Sequence, residues 1–542
     1  MNVAEFLVKI LEEANVEHIF GHPGEQILPF YLALDDSNIE HVLMRHEQGS
    51  IHAADGYARA SAKFGVCVST AGPGALNLTM GLATAFKDSI PMLVITGDNS
   101  ISSKFKDRFQ DIDIHSVFKS ITFKSFNPVD GKSAVMNIVE SIEILKNEPK
   151  GPVHINLPKN ILLEDIGDFS LDKKAIYSPD FNYNQLDDAI NEIKSAKKPL
   201  ILAGAGIFWG NALDEFKRFV ETNEIPFVHT YHTKSLIKGS KMDLGLVGIR
   251  GTKMANYAFN NADLLIILGS KLSERTLDTG GNFLDKNGLI DFKNSKTKCI
   301  NINIDKVPLF CDINIYGDVN FVLKDFNSLN KITNSIDDSW LDEIENHNDK
   351  FIIEGLNSET IPIKPQVAIK IILEFFKDNY IVNDAGAHTT WVNLLSEVYS
   401  NEKLIFSGAM APMGYGLPAS CGVSIALAKN NERIVLINGD GGFQMNIQEL
   451  ATVASKNLPI LIVVLNNSQL GIIRQWQEQY YDNLRYNVDL ENPDFISLAN
   501  AYGIEGETVN SKKGLKLAIN NLKLDKPYLL EILVDEENIP LS

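Results

Sequence analysis

Two short stretches in the last third of the chain combine residue types that suit divalent-cation and phosphate chemistry. NGDGGFQMN, from Asn438 to Asn446, follows an apolar run, and a second apolar run ends in LNNSQLG, from Leu465 to Gly471. Asp440 and Asn467 then place a carboxylate and an amide at two neighbouring strand ends. Magnesium takes hard oxygen ligands in an octahedron and commonly bridges one or two protein groups to phosphate oxygens. Gly439, Gly441 and Gly442 let backbone N–H groups approach a diphosphate. A GDG triplet alone is a common turn after a strand; the asparagine pair after the next strand makes it a metal site.

Four further stretches carry candidate groups. MRHEQGSIHAADGYARA, 44–60, puts Glu47 at a strand-to-helix junction, where an acid by itself complements the positive helix end. STAGPGALN, 69–77, follows a strand and sets Gly72, Pro73 and Asn77 in a tight turn suited to close backbone approach. NDAGAH, 383–388, is another strand end and brings Gly386 and His388, the latter equally readable as a structural histidine. MGYGLPAS, 413–420, sets Met413 before a glycine-rich helix start, where a methionine can simply fill core space.

The elements that must position these groups are α/β units. VCVST (66–70), MLVITG (92–97), PLILAG (199–204), LLIILG (264–269), RIVLING (433–439) and ILIVVLNN (460–467) are nearly continuous apolar runs ending in small or polar residues. Such runs suit parallel strands buried on both faces. Helical stretches alternate with them, so ligand sites are expected at the carboxyl ends of strands. The 542 residues exceed one core. Polar segments at 165–187 and 334–364 read as connections, which predicts three domains near 1–165, 185–335 and 362–530, each a mostly parallel sheet flanked by helices.

Bulk properties exclude several classes. A net charge of −19 argues against a general nucleic-acid or anionic-membrane binder. MNVAEFLVKILEEANVEHIFG interrupts its apolar run with Glu5, Glu12 and Glu13, so it reads as an amphipathic helix and not as a signal peptide. No apolar run is long enough for a membrane span. Cys67, Cys299, Cys311 and Cys421 are scattered without a CxxC pair, which fits a reducing compartment and argues against a structural zinc site. A cytoplasmic enzyme is expected.

GDG followed by NN resembles the signature of thiamine-diphosphate enzymes. The resemblance implies that Asp440, Asn467 and the backbone carbonyl of Gln469 ligate Mg²⁺ on the diphosphate. RHEQGSIHAA resembles the family segment that supplies a glutamate to the cofactor's aminopyrimidine, so Glu47 would promote loss of the thiazolium C2 proton. In the family that glutamate comes from a neighbouring subunit, which implies a homodimer or homotetramer with active sites between subunits. The Gly72–Asn77 loop would lie beside the pyrimidine, Gly386 and His388 would touch the diphosphate, and Met413 would wedge the cofactor into a bent shape.

Within the family the chain is most similar to the catalytic large subunit of acetohydroxyacid synthase, also called acetolactate synthase. FGHPGEQILPFYLAL resembles FGYPGGAILPIYDAL, and the stretch from DGGFQMN to RQWQ follows the family pattern. Trp476 stands where the family places the tryptophan that selects the second 2-oxo acid; otherwise it is a core residue. RFQD, 108–111, resembles AFQE, which implies that Phe109 and Gln110 face the site, and Lys159 in NLPKN matches the lysine at the substrate channel. Arg275 in SKLSERTLD matches a family arginine suited to a carboxylate or a cofactor phosphate.

AGAGIFWGNA, GIRGTKMANYAFNNADLLIILG, NINID and YGDVNFVL resemble the family's FAD-binding domain, with Asp305 and Asp318 at matching positions. Related decarboxylases keep this domain without flavin. The implied reaction decarboxylates pyruvate and joins the two-carbon unit to a second 2-oxo acid, in branched-chain amino acid biosynthesis, with a small regulatory subunit as a further partner. Gln110, Lys159 and Arg275 are candidates for the second carboxylate. Departures concern the substrate pocket: Glu25 and Gln26 replace a small Gly-Ala pair, Arg250 a histidine, and Ala387 a glutamine. A related thiamine-diphosphate decarboxylase or carboligase with another substrate is therefore the alternative.

Overall fold

The computed structural model describes all residues except 104–106, 149–150, 168–176, 178, 235, 238, 280–296, 307–310, 334–335, 349–352, 400–402, 431, 524 and 541–542. Continuous branched apolar runs offer no wet face, so they must lie inside sheets covered on both sides. Three such sheets form, each six-stranded and parallel throughout. The N-terminal sheet has the order Glu40–Leu43, His18–Gly21, Gly65–Ser69, Met92–Asp98, Pro152–Pro158, Lys124–Phe126. The middle sheet runs Ile313–Tyr316, Lys298–Asn303, Leu264–Leu268, Pro199–Ala203, Phe227–His229, Asp243–Leu246. The C-terminal sheet runs Leu404–Ile405, Tyr380–Asn383, Ile434–Gly439, Ile460–Asn466, Tyr528–Leu533, Glu505–Val509. All six runs predicted from the sequence are strands, within a residue of their expected bounds.

The chain gathers into two compact units, one of Met1–Ser178 with Gly355–Ile539 and one of Pro179–Glu354. In the first unit the opening helix, Val3–Glu13, buries Phe6, Leu7, Ile10 and Leu11. It starts in a capping box, with Glu5 N–H donating to Asn2 Oδ1 at 2.9 Å and Asn2 N–H to Glu5 Oε2 at 2.9 Å. The helix Glu47–Ser61 crosses the helix Gly416–Ala426 at backbone contact: Gly56 has no room for a methyl group beside the Ala419 carbonyl, nor Gly422 beside that of Ala53.

In the second unit, the polar stretch 334–364 contains the helix Ser339–Glu345, whose Trp340 is fully buried and donates its indole N–H to the Pro199 carbonyl at 3.2 Å. Much of the other polar connection, at 168–176 and 178, lies outside the described residues. Cys299 and Cys311 form a disulfide with their Cα atoms 4.9 Å apart, a pairing that scattered spacing does not announce. Cys67 and Cys421 are buried thiols. Among the described residues, no helix is long and apolar enough to cross a membrane.

Candidate active site

Glu47 is the first residue of its helix, and His46 caps that helix by accepting the Gln48 N–H on Nδ1 at 3.1 Å. One Glu47 oxygen, Oε2, accepts from the Asn77 amide at 2.9 Å. The other lies against Gly74, in the turn that follows the strand Gly65–Ser69. Gly72 adopts φ +56°, a left-handed conformation that favours glycine, and packs on Gln110. Pro73 opens the one-turn helix Pro73–Leu76, which runs from Gly72 to Asn77. The Asn99 amide donates to the Phe109 carbonyl at 3.2 Å and holds this loop, leaving the Phe109 ring 76% exposed. Glu47, Gly72, Pro73, Asn77 and Gln110, distant in sequence, thus form one cluster.

Glu25 and Gln26 border the same cluster, because Gly24 packs on Thr70 and Gln26 N–H donates to Thr70 Oγ1 at 3.3 Å. Gln26 is buried, whereas Glu25 is exposed and places Oε1 3.5 Å from Lys159 Nζ. The lysine expected to meet a substrate carboxylate already faces one from its own chain.

The second cluster forms where three strands of the C-terminal sheet end together. Register sets Gly439 opposite Leu465, so Asp440 and Asn467 emerge from the ends of adjacent strands within one residue of the same level. Gly439 and Gly386 both pack on the His388 ring, Gly442 on Asp384, and Gly441 on the Met413 methyl. Met413 is half-buried across Gly441 and not sealed in the core. Asp440 accepts the Gly441 N–H at 3.0 Å and the Asn492 amide at 2.7 Å. The asparagine pair divides its work. Asn466 is tied inward to Glu531 at 2.7 Å and to Asn492 at 3.0 Å, while Asn467 is half-buried and accepts the Gln469 N–H at 3.1 Å.

The electrostatics of this cluster suit a cation and an anion arriving together. Burial raises the Asp440 carboxyl above its ordinary range, against the Asn492 hydrogen bond; a nearby cation would restore the ionised form. Burial also lowers His388 to about 4, so its ring is neutral, and its buried Nε2 has no hydrogen-bond partner among the described residues. Such an unmet ring nitrogen fits a phosphate oxygen. Among the described residues, no group of three or more His, Cys, Asp or Glu could hold a metal. One carboxylate and one amide leave most of an octahedron to oxygens brought by a ligand, as a magnesium diphosphate would bring them.

Three groups that sequence reasoning missed tie the clusters to their supports. Asp384, pushed up to about 6 by burial, accepts N–H bonds from Gly414, Tyr415 and Gly416 at 3.0, 3.1 and 3.3 Å and so fixes the loop behind Met413. Arg59 donates to Asp55 at 2.6 Å, to Asp88 at 2.8 Å and to the Phe406 carbonyl at 3.0 Å, and the Tyr415 hydroxyl donates to Asp55 at 2.6 Å. Glu449 accepts the N–H groups of Arg45 and His46, each at 3.1 Å. Glu47, Asn77 and Gln110 make no hydrogen bond to Asp440, Asn467 or His388 among the described residues.

Trp476 lies on the helix Gly471–Tyr480 and is 41% exposed, so it is no core residue. Its neighbour Gln475 is buried and exchanges two 2.9 Å hydrogen bonds with the Ile539 backbone, which anchors that helix. In the second unit the strand ends converge: Gly204 and Gly206 pack on Gly269, the Asn303 amide donates to the Ser270 carbonyl at 3.1 Å, and Gly210 faces Asp318. Asp318 caps a helix by accepting the Asn320 N–H at 2.6 Å. Asp305 lies 3.9 Å from Lys271. Arg275 is exposed, and its positive charge together with burial lowers the pKa of Arg250, burial being the larger cause.

Comparison with known proteins agrees with this geometry. Residues 1–117 match "Thiamine pyrophosphate enzyme, N-terminal TPP binding domain", residues 186–326 the central domain of the same enzymes, and residues 384–532 their C-terminal TPP binding domain; thiamine pyrophosphate is another name for thiamine diphosphate. The chain is 37% identical to the "Probable acetolactate synthase large subunit" of Methanococcus aeolicus, over 99% of this chain and 92% of that protein. It is 35% identical to the acetolactate synthase large subunit of Lactococcus lactis, over 98% and 92%. It is 32% identical to the acetolactate synthase isozyme 2 large subunit of Escherichia coli, over 99% and 97%. With the paired strand ends, the Glu47 cluster and likeness along nearly its whole length, this chain belongs to the acetolactate synthase large-subunit family of thiamine pyrophosphate enzymes.

Proposed function

We propose that the protein decarboxylates pyruvate and joins the remaining two-carbon unit to a second 2-oxo acid, giving an acetohydroxy acid. The observation that carries this reading is Glu47, presented at a helix start and held by Asn77, on a chain whose later strands offer a carboxylate, an amide and glycine N–H groups at adjacent strand ends. Thiamine diphosphate, when bound, supplies a thiazolium carbon that stabilises negative charge beside a carbonyl. Asp440, Asn467 and the Gln469 carbonyl would hold Mg²⁺ on its diphosphate, with Gly386, His388, Gly439, Gly441 and Gly442 around the phosphates. Met413 would bear on the cofactor's waist, and Gly72, Pro73 and Asn77 would line the pyrimidine.

Glu47 holds and passes the proton on which the cofactor's activation depends. Gln110 and Lys159 orient the second acid, and Trp476 gauges its side chain. The family resemblance, in which this glutamate serves a neighbouring subunit, together with the lack of any hydrogen bond from Glu47 to Asp440, Asn467 or His388 among the described residues, supports sites shared between two subunits of a homodimer or homotetramer. Relatives named large subunits support a small regulatory partner. In the second unit, Arg275, Asp305 and Asp318 surround strand ends suited to FAD. No net redox change occurs in the proposed reaction, so flavin there would be structural. Flavin absorption by the purified protein, released on denaturation, is the expected result; a colourless, fully active protein would refute flavin binding.

The Glu25–Lys159 pair favours a second reading, a related thiamine enzyme with another acceptor. Mass spectrometry of products from pyruvate, with and without 2-oxobutyrate, separates the two: acetolactate and acetohydroxybutyrate are expected, and acetaldehyde alone would overturn the proposal. In the same assay Trp476→Leu should reduce the preference for 2-oxobutyrate over pyruvate as acceptor by roughly 10-fold, since a pocket wall senses one methylene by about 1–3 kcal/mol. An unchanged product ratio would remove Trp476 from selection.

A further inference from the structure

The carboxylate of Glu449 is fully buried, yet no chemistry described so far uses it. It lies at the end of the turn Ile447–Glu449, shortly after the segment Asp440–Met445 that carries the candidate metal ligand. Its backbone partners come from far earlier in the chain, and one hydroxyl partner is local. Oε1 accepts the N–H groups of Arg45 and His46, both at 3.1 Å, and Oε2 accepts the Arg45 N–H at 3.2 Å and the Thr452 hydroxyl at 2.6 Å. Arg45 and His46 are the two residues before Glu47. Gly49 makes the approach feasible, because a methyl group there would collide with Oε1.

A carboxylate at this place faces the positive end of the helix Glu47–Ser61. Burial raises its pKa, against the hydrogen bonds from Thr452, Arg45 and His46. The segment that reaches it is itself braced: the Asn446 amide donates to the Gly414 carbonyl at 2.7 Å, and the Gln448 amide to Asn446 Oδ1 at 3.0 Å. The backbone that aims Glu47 is thereby held from the C-terminal sheet's side of the first unit, and not by the N-terminal sheet alone.

We infer that Glu449 is a positioning residue for proton transfer by Glu47: it fixes the Arg45–His46 backbone so that the Glu47 carboxyl is presented at one height and angle. This rests on the reading of Glu47 as the proton-transferring acid. A displacement of about 1 Å at such a group costs up to about 10²-fold in rate. Glu449 makes no hydrogen bond to Asp440, Asn467, His388 or Lys159 among the described residues, so its loss is expected to act on kcat.

The test is Glu449→Gln in the full-length holoenzyme, alone and combined with Glu47→Gln. The glutamine keeps the size but turns an amide donor towards backbone donors. Expected are a fall in kcat of about 10- to 100-fold, a KM for pyruvate and a Kd for thiamine diphosphate each within about 3-fold, and no further fall when Glu47→Gln is already present. In the cofactor-free chain, amide hydrogen exchange at Arg45 and His46 should speed up about 10-fold or more. An unchanged kcat in the folded variant, a raised KM at constant kcat, or a full additional loss on top of Glu47→Gln would each overturn the inference. Full activity of Glu47→Gln alone would instead refute the parent reading. If Glu449→Gln does not fold, Thr452→Val decides: it removes the 2.6 Å hydroxyl bond to the same carboxylate. A fall in kcat of roughly 3-fold or more with cofactor affinity intact supports the inference, and an unchanged kcat overturns it.

Discussion

Glu47→Gln should lower kcat by about 10²–10⁴-fold, the range that a positioned proton donor contributes, while the Kd for thiamine diphosphate stays within about 3-fold. The glutamine oxygen can still accept the Asn77 amide bond, and the side-chain volume is unchanged, so the turn from Gly72 to Asn77 keeps its shape. What is lost is the exchangeable carboxyl proton. In the proposed reading cofactor anchoring falls on the other cluster, at the ends of Ile434–Gly439 and Ile460–Asn466, to which Glu47 makes no hydrogen bond among the described residues. Steady-state kinetics with calorimetric titration of the cofactor separate the two effects. Full turnover by the variant would take Glu47 out of the reaction.

Asp440→Asn should weaken magnesium-dependent binding of thiamine diphosphate by about 100-fold or more, since even outer-shell changes at metal sites cost about 10–100-fold. It should also abolish the wild-type protein's sensitivity to a chelator. The folded apo protein should not suffer. Burial already disfavours the charged form of Asp440, which offsets a lost hydrogen bond: Gly441 and Asn492 donate to different carboxylate oxygens, and an asparagine oxygen can keep one of the two. Thermal melting of the cofactor-free variant is therefore expected close to the wild-type midpoint. Retained magnesium-dependent affinity would show that Asp440 is no ligand.

The parallel sheets were legible because burial on both faces leaves one kind of side chain along a strand, as in LLIILG and ILIVVLNN. Asp440 and Asn467 stood out as candidates because local motifs at two neighbouring strand ends point to the same place, whereas Glu47 stood out only through the resemblance of RHEQGSIHAA to the family segment. The unforeseen groups share a different property. Glu449 acts on Arg45, a residue 404 positions away, and Tyr415 on Asp55, 360 positions away. Inside a strand-loop-helix pattern, a buried carboxylate with distant partners is spelled like any exposed one. Trp340, placed by composition in a polar connection, is buried because its helix packs on the middle sheet. Lys159 stood out only through the resemblance of NLPKN to the family's channel segment, and its pairing with Glu25 was visible only once the chain was folded.

The close crossing of the Glu47–Ser61 and Gly416–Ala426 helices also bears on synthesis. From Gly49 to Ala58 the earlier helix is buried at every position, and much of its cover emerges from the ribosome hundreds of residues later. At about 5–20 residues per second, the interval between Asp55 and its hydroxyl partner Tyr415 lasts roughly 20–70 s. A nascent chain carries an unsheltered Ala- and Gly-lined ridge for all of that time. The later part of the first unit is made only after the second unit, so that ridge stays open to misassociation during synthesis.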